Sequence, residues 1–278
     1  MELGQYNKLK IARKVDFGVY LDGGDGTEVL LPARYLTGKE RIGDEVEVFV
    51  YNDSEDRPVA TTEKPFGTVG EMVYLTVKQV NDVGAFLEWG LQKDLLVPYS
   101  EQRQKMRKGG AYLIYIYIDD ATKRIVATAK VEKYVGNVFP EYRRGDKVDC
   151  IFYKSTEIGY RVIVDNAHYG MLYADEMHCE IDDTQHFTAY VKGVREDGKI
   201  DLTLSDKAER RTAVLADKIV SYLKLNRGMM TITDKSEPEL ISSVFACSKK
   251  DFKKAVGLLY KNRQIVISEG KIELVDKK

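Results

Sequence analysis

Along the first two hundred residues, apolar and polar positions alternate with a period of two, in short runs broken by glycine, proline and aspartate. Alternation predicts strands near Lys8–Val15, Gly18–Leu21, Val29–Leu31, Glu45–Tyr51 and Val59–Thr61. A second set follows near Val73–Val80, Ala85–Trp89, Leu95–Val97, Tyr112–Ile118 and Ile125–Thr128. After Ser205 the period lengthens to that of a helix. Ala208, Ala213, Leu215, Ile219, Tyr222 and Leu223 fall mostly on one face of a helix that stops at Gly228. Pro238 opens a second short helix. Ser248 caps a third, with Asp251 three residues on as the capping-box acid and Phe252, Ala255, Val256, Leu259 and Tyr260 as its apolar face. Two strands, "QIVIS" and "KIELV", close the chain through a tight turn at Glu269–Gly270.

The strand-rich part repeats. Gly4, Gly18 and Pro32 recur 66 positions later as Gly70, Gly84 and Pro98, and Gly70 and Gly84 recur 75 positions on as Gly145 and Gly159. The text agrees in the same register: "VDFGVYL" overlies "NDVGAFL", and "RPVAT", "KRIVAT" and "GKIDLT" end the three copies. Several matches in one register imply three copies of one module. Five short strands with a glycine bend early in the second suit a small Greek-key OB barrel. The fold expected is therefore multi-domain, mainly β with an α+β C-terminus: three tandem five-stranded OB-fold barrels followed by a winged helix-turn-helix. The domains are drawn at 1–64, 65–130, 145–205 and 206–278. Residues 131–144 are read as a linker helix, because Val131, Tyr134, Val135 and Val138 recur at helical spacing before Pro140. "GGDG" at 23–26 reads as a hairpin turn, since no helix start follows it.

Charge changes this picture only at the level of domains. The 278 residues carry a formal net charge of −1, but residues 205–278 hold +6 and the rest −7. Three scattered cysteines without CxxC spacing fit a reducing compartment. The N-terminus lacks the apolar core of a signal peptide, and "YLIYIYI" is far short of the roughly 20 residues that span a bilayer. The expectation is a cytoplasmic protein with no membrane partner.

"DVGAFLEWG", "KDLLVPYSE", "GMLYADE" and "VKGVREDGKIDLTLS" resemble the RNA-binding OB domain of the ribosomal protein S-one type. That family carries a G-x-V-x-x-I-x-x-F-G-A-F-V stretch, then G-L-V-H-x-S-E, then a late I-x-L-S-L strand. Its histidine position is filled here by Pro32, Pro98 and Tyr173, so a histidine contact does not carry over. Its first motif aromatic is Phe17 in copy one but Val83 and Ile158 in the others. The resemblance implies bases stacked on aromatic faces and phosphates tracked by cations. Candidate stackers are Phe17 and Tyr20, Phe86 with Tyr74, and Tyr160 with Tyr173. Candidate phosphate partners are Lys8, Lys10, Arg34, Lys78 and Arg161. An aromatic alternating along a strand is equally explained as barrel core or cross-strand pairing.

In the winged helix, the third helix carries Lys249, Lys250, Lys253, Lys254 and Lys261, which suits phosphate contact. It has no arginine or asparagine cluster at its start to read base edges. Three S-one-type domains and a C-terminal winged helix, with "SKKDFKKAVGLLYKNRQIVI", resemble the conserved virulence factor B family. That resemblance implies a cytoplasmic RNA-binding regulator acting after transcription; separately, a monomer is expected. Its expected partner is single-stranded RNA, with duplex nucleic acid through the winged helix and the ribosome as further candidates. A DNA-binding transcription regulator and a protein adaptor remain alternatives. No cofactor or metal is expected: "HCEIDDTQH" (His178–His186) fits no zinc spacing. GxSxG, Walker-type and HExxH motifs are absent, and Asp119 with Asp120 sits at a turn, so no catalytic activity is expected.

Overall fold

The computed structural model describes residues 1–24, 26–174, 182, 184–204, 207–268 and 270–275 (backbone alone for 207–211). Residues forming two compact units are Met1–Leu202 and Thr203–Lys278. The first unit holds three five-stranded barrels. Barrel one closes β1 (Tyr6–Val15), β2 (Gly18–Gly24), β3 (Thr27–Pro32), β4 (Glu45–Asn52) and β5 (Pro58–Thr61) in the order β1-β2-β3-β5-β4. Barrel two runs β6 (Met72–Val80), β7 (Gly84–Leu87), β8 (Leu95–Pro98), β9 (Ala111–Ile118) and β10 (Ile125–Thr128) in the order β10-β9-β6-β7-β8. Barrel three closes β11 (Lys147–Thr156), β12 (Gly159–Val164), β13 (His168–Tyr173), β14 (His186–Val194) and β15 (Ile200–Thr203) in the same order as barrel one. Alternation is what drives the closure. Val19, Leu21, Val29 and Leu31 point inward and are almost wholly buried, while the residues between them face out.

The three repeated glycines sit at one corner of each barrel. Gly18, Gly84 and Gly159 are the first residues of β2, β7 and β12, with φ of +155°, +159° and +144°. A Cβ there would fall 2.3 Å from the carbonyl oxygen of Leu31, Val97 and Leu172 respectively. Only glycine allows both that backbone and that approach. A bulge lies on the strand opposite this bend, where the register slips between Ile11 and Arg13, Val77 and Gln79, and Phe152 and Lys154.

Neighbouring barrels in this unit bury shared contacts. Phe49 and Tyr51 of barrel one join the core of barrel two, with Phe49 edge-on to Trp89 at 5.6 Å. Trp89 Nε1 donates to Gly67 O at 2.8 Å, satisfying the buried indole. Between barrels two and three, Met72, Val131, Val135, Ile151 and Ile163 form one buried cluster. Each such side chain contributes on the order of 2 kcal/mol. The Met72 amide donates to Asn166 Oδ1 at 2.9 Å across this seam.

The expected linker helix is corrected here. Residues 131–144 contain only one 3-10 turn, Val131–Lys133, and then bends. Val131 and Val135 bury into the seam and Tyr134 stacks on Tyr115 at 3.9 Å, with Gly136 at φ +81° turning the chain out of a helical path. The apolar spacing reflects docking, not helix.

The second unit has α1 (Lys207–Leu225), α2 (Pro238–Phe245), α3 (Lys249–Lys261) and a sheet of β16 (Met229–Met230), β18 (Lys271–Leu274) and β17 (Ile265–Ser268). Ser248 Oγ accepts from the Asp251 amide at 3.1 Å and donates to Asp251 Oδ2 at 2.8 Å. The acid therefore holds the capping hydroxyl instead of reaching back to the backbone. Ile219, Leu223, Ile241, Phe252, Ala255 and Ile272 are the centre of the core. Two expected core residues are not there: Ala213 is exposed, with Ala216 buried in its place, and Tyr260 is exposed. Glu269, in the expected hairpin turn, lies outside the described residues. Among the described residues, no helix is long and apolar enough to cross a membrane.

Candidate nucleic-acid interface

The glycine corner fixes what flanks it. The residue before each glycine is pushed outward whatever its identity: Phe17, Val83 and Ile158 are 57%, 56% and 58% exposed. Pro32, Pro98 and Tyr173 pair directly with the three glycines on the neighbouring strand. Two residues after each glycine, the outward position holds Tyr20, Phe86 and Arg161, all half-buried. That register corrects the expectation for barrel three. Tyr160 takes the place that Val19 and Ala85 fill in the other barrels and packs on Phe152 at 5.7 Å. Arg161 stands where an aromatic stands elsewhere.

In barrel one, Phe17 and Tyr20 meet edge-to-face at 6.4 Å. Arg13, directly opposite Tyr20 on β1, lays its guanidinium 3.8 Å from the Tyr20 ring centroid. Arg13 is itself held by Glu28, through Nε at 3.1 Å and Nη2 at 2.7 Å. The hydrogen bonds lower the Glu28 pKa and raise that of Arg13. Lys8 and Lys10 lie opposite Glu47 and Glu45 on β4, and Lys10 is also paired with Asp22 on β2, two residues from Tyr20. Arg34 Nη2 donates to Gln92 Oε1 at 2.5 Å, bridging to barrel two, and its guanidinium lies 4.7 Å from the Tyr35 ring.

Barrel two presents Phe86 opposite Gln79. Lys78 is bound to Asp94 at 3.0 Å, and that hydrogen bond raises its pKa. Tyr74 does not join Phe86. It pairs with Leu113 on β9 and its hydroxyl donates to Phe152 O at 3.4 Å, because its half of β6 faces barrel three. In barrel three, Arg161 lies 5.6 Å from the Tyr169 ring centroid. Tyr173 is tied to Asp201 at 3.3 Å and to Arg195, with Lys192 Nζ 5.8 Å from its ring.

On α3, Lys250, Lys253, Lys254 and Lys261 are exposed and Lys249 is partly so. None of the five makes an ion pair among the described residues, unlike Lys78 on the barrels. Among the described residues no three His, Cys, Asp or Glu side chains converge as a metal site. His178, Cys179 and Asp183 of the acidic loop lie outside the described residues, while His186 serves the seam instead. Its Nδ1 faces Asp149 Oδ2 at 2.5 Å and its Nε2 faces Met72 O at 2.7 Å.

Comparison with known proteins places these features in a family. An S1 domain model matches residues 3–63 and 69–130, and a CvfB-like winged helix domain model matches residues 217–274. The uncharacterized protein YitL of Bacillus subtilis is 30% identical over 280 residues, covering 97% of this chain and 93% of that protein. The chain belongs to the conserved virulence factor B family. Conserved virulence factor B of Staphylococcus saprophyticus is 26% identical, over 92% of this chain and 89% of that protein. A solved multidomain protein with nucleic acid binding domains from Streptococcus pneumoniae is 25% identical over 98% of each chain, with a TM-score of 0.41. S1 and winged helix domains are nucleic-acid-binding, non-catalytic modules.

Two surface residues, Arg13 and Tyr260, are not among the candidates drawn from the sequence, where Tyr260 was assigned to the apolar face of α3. Arg13 was legible only through the β1–β2 register, since it faces Tyr20 across the bulge. Tyr260 sits seven residues after Lys253, hence on the same flank of α3, a spacing visible in the sequence but masked by its apolar neighbours.

Proposed function

We propose that this chain binds single-stranded RNA through its tandem barrels, aided by the basic face of α3, and acts as a monomeric cytoplasmic regulator of transcript fate or translation. The observation that carries the reading is the repeated corner, which turns Phe17 outward beside Tyr20 and holds Phe86 at the matching place in barrel two. Such rings take unpaired bases, each worth about 1–3 kcal/mol. Three weak sites on one chain gain by effective concentration, so the array binds more tightly than any barrel alone. The lysines of α3 add phosphate contacts and salt dependence.

The test is fluorescence anisotropy with matched single-stranded RNA, single-stranded DNA and duplex DNA at about 50 and 200 mM salt. The full chain is compared with a truncation after Leu204. Preference for single-stranded RNA that survives truncation supports the reading. Duplex DNA preference lost with the winged helix replaces it with a DNA-binding regulator. Weak binding to all three polymers favours a protein adaptor, on the ribosome or elsewhere.

A further inference from the structure

Beside the seam of barrels two and three lies an open cleft of about 480 Å³. Its volume is within the range of ligand pockets, about 300–1,000 Å³. Tyr74 of β6 and Tyr153 of β11 supply half-buried aromatic surface, and Met106 and Val131 form a buried apolar floor. Arg103 and Gln104, from the segment after β8, stand exposed on the rim. A ring-lined cleft with a cation and an amide at its edge suits a flat heterocycle that carries an anion.

The arrangement extends beyond the cleft. The Arg103 guanidinium lies 5.9 Å from the Tyr153 ring centroid and its Nη1 donates to the Tyr153 hydroxyl at 3.0 Å. Tyr153 and Tyr169 are 5.9 Å apart, and Arg161 follows 5.6 Å from Tyr169. A strip of cation, ring, ring, cation thus joins the cleft to the corner position of barrel three. Glu132 sits 3.6 Å from Arg103 Nε and takes one side of the guanidinium. The Nη2 end makes no hydrogen bond among the described residues. The Gln104 side chain likewise has no partner there, and its amide offers both a donor and an acceptor to a base edge.

We propose that this cleft is a nucleotide subsite, seating one RNA base against Tyr74 and Tyr153 with its phosphate on Arg103, and passing the strand along Tyr169 to Arg161. It rests on the single-stranded RNA reading above and adds a site that belongs to no single barrel. Arg103 keeps Glu132 on one side, while its Nη2 end and the Gln104 amide offer a nucleotide polar contacts that a purely apolar partner would not use.

The experiment uses the full chain and a fluorescein-labelled single-stranded RNA of about 12 nucleotides, within the span of one to three such barrels. A second copy of that RNA carries 4-thiouridine for photo-crosslinking. Arg103→Ala is expected to weaken binding roughly fivefold or more and to lower the salt slope by about one. Gln104→Ala should give a smaller loss, and crosslinks should map to peptides holding Tyr74 or Tyr153. Gln104 is exposed and unbonded, so its variant reports on the cleft even if Arg103→Ala disturbs the seam. If the parent binds RNA but both variants match it and crosslinks fall only on Phe17 or Phe86 peptides, the cleft proposal is overturned while the RNA reading stands. If the parent itself binds no single-stranded RNA, both fall, and that outcome shows in the parent alone.

Discussion

Barrels one and three carry the same corner with opposite chemistry. In barrel one the outward position is an aromatic, Tyr20, covered by Arg13, whose charge is already met by Glu28. In barrel three it is a cation, Arg161, placed over Tyr169 and with no carboxylate partner among the described residues. The backbone is common because glycine and strand register impose it. The electrostatics differ because the cross-strand neighbours do. A neutralised guanidinium leaves barrel one with its rings, above all the exposed Phe17, as what a base would meet. Barrel three presents charge, which a phosphate would meet.

The comparison breaks most severely if the corner is not shared. Gly18→Ala and Gly159→Ala each place a Cβ 2.3 Å from a carbonyl oxygen at positive φ. Both should lose about 2 kcal/mol or more, read as urea midpoints followed by circular dichroism. Near-equal losses would support one scaffold; a tolerated alanine in either barrel would show that its corner is built differently.

The next effect is on affinity. Phe17→Ala combined with Phe86→Ala should reduce single-stranded RNA binding by roughly tenfold or more, since each ring that stacks a base contributes about 1–3 kcal/mol. Unchanged anisotropy titrations would remove the aromatic corners from the interface. A finer contrast follows within the cations. Arg161→Ala should lower the slope of binding against salt by about one, whereas Arg13→Ala should change it little, because Glu28 already neutralises Arg13. Equal slopes for the two variants would erase the distinction between the barrels.

The smallest expected effect concerns how barrel three is held to barrel two. His186 faces two acceptors, Asp149 Oδ2 and Met72 O, so the doubly protonated ring suits the site. Its pKa is raised, chiefly by the hydrogen bond to Asp149, with Glu71 adding to the effect. A raised folded pKa gives stability that is complete below the unfolded value of about 6.5 and is lost as pH rises through the folded value. The stability gap between the parent and His186→Gln should therefore be wider near pH 6 than near pH 9, measured by urea unfolding at each pH. A gap that grows with pH would mean that the ring is held neutral.

Legibility in the sequence followed the range of the interaction. Ten strands of the first two barrels were readable to within three residues at each end, since inward and outward positions alternate locally. The triple recurrence of Gly18, Gly84 and Gly159 marked the corners for the same reason. Tyr74 was misplaced beside Phe86 because its strand shows the same alternation on either side of a barrel. Val131 and Val135 read as helical because a docking loop and a helix both leave apolar residues four apart. The exposed lysines of α3 were legible from helical spacing alone. Their lack of ion pairs among the described residues was not, because a side chain's partner depends on every element brought near it.

By itself the sequence determined the number of barrels, their glycine corners and the winged helix, all consequences of period and steric allowance within a few residues. Tertiary structure alone decided that Phe49 packs on Trp89, that Arg13 is spent on Glu28, and that Arg103, Tyr153, Tyr169 and Arg161 form one strip. Those pairings join residues far apart in the chain, and their energies exist only once strand register and barrel docking bring the groups within a few ångströms.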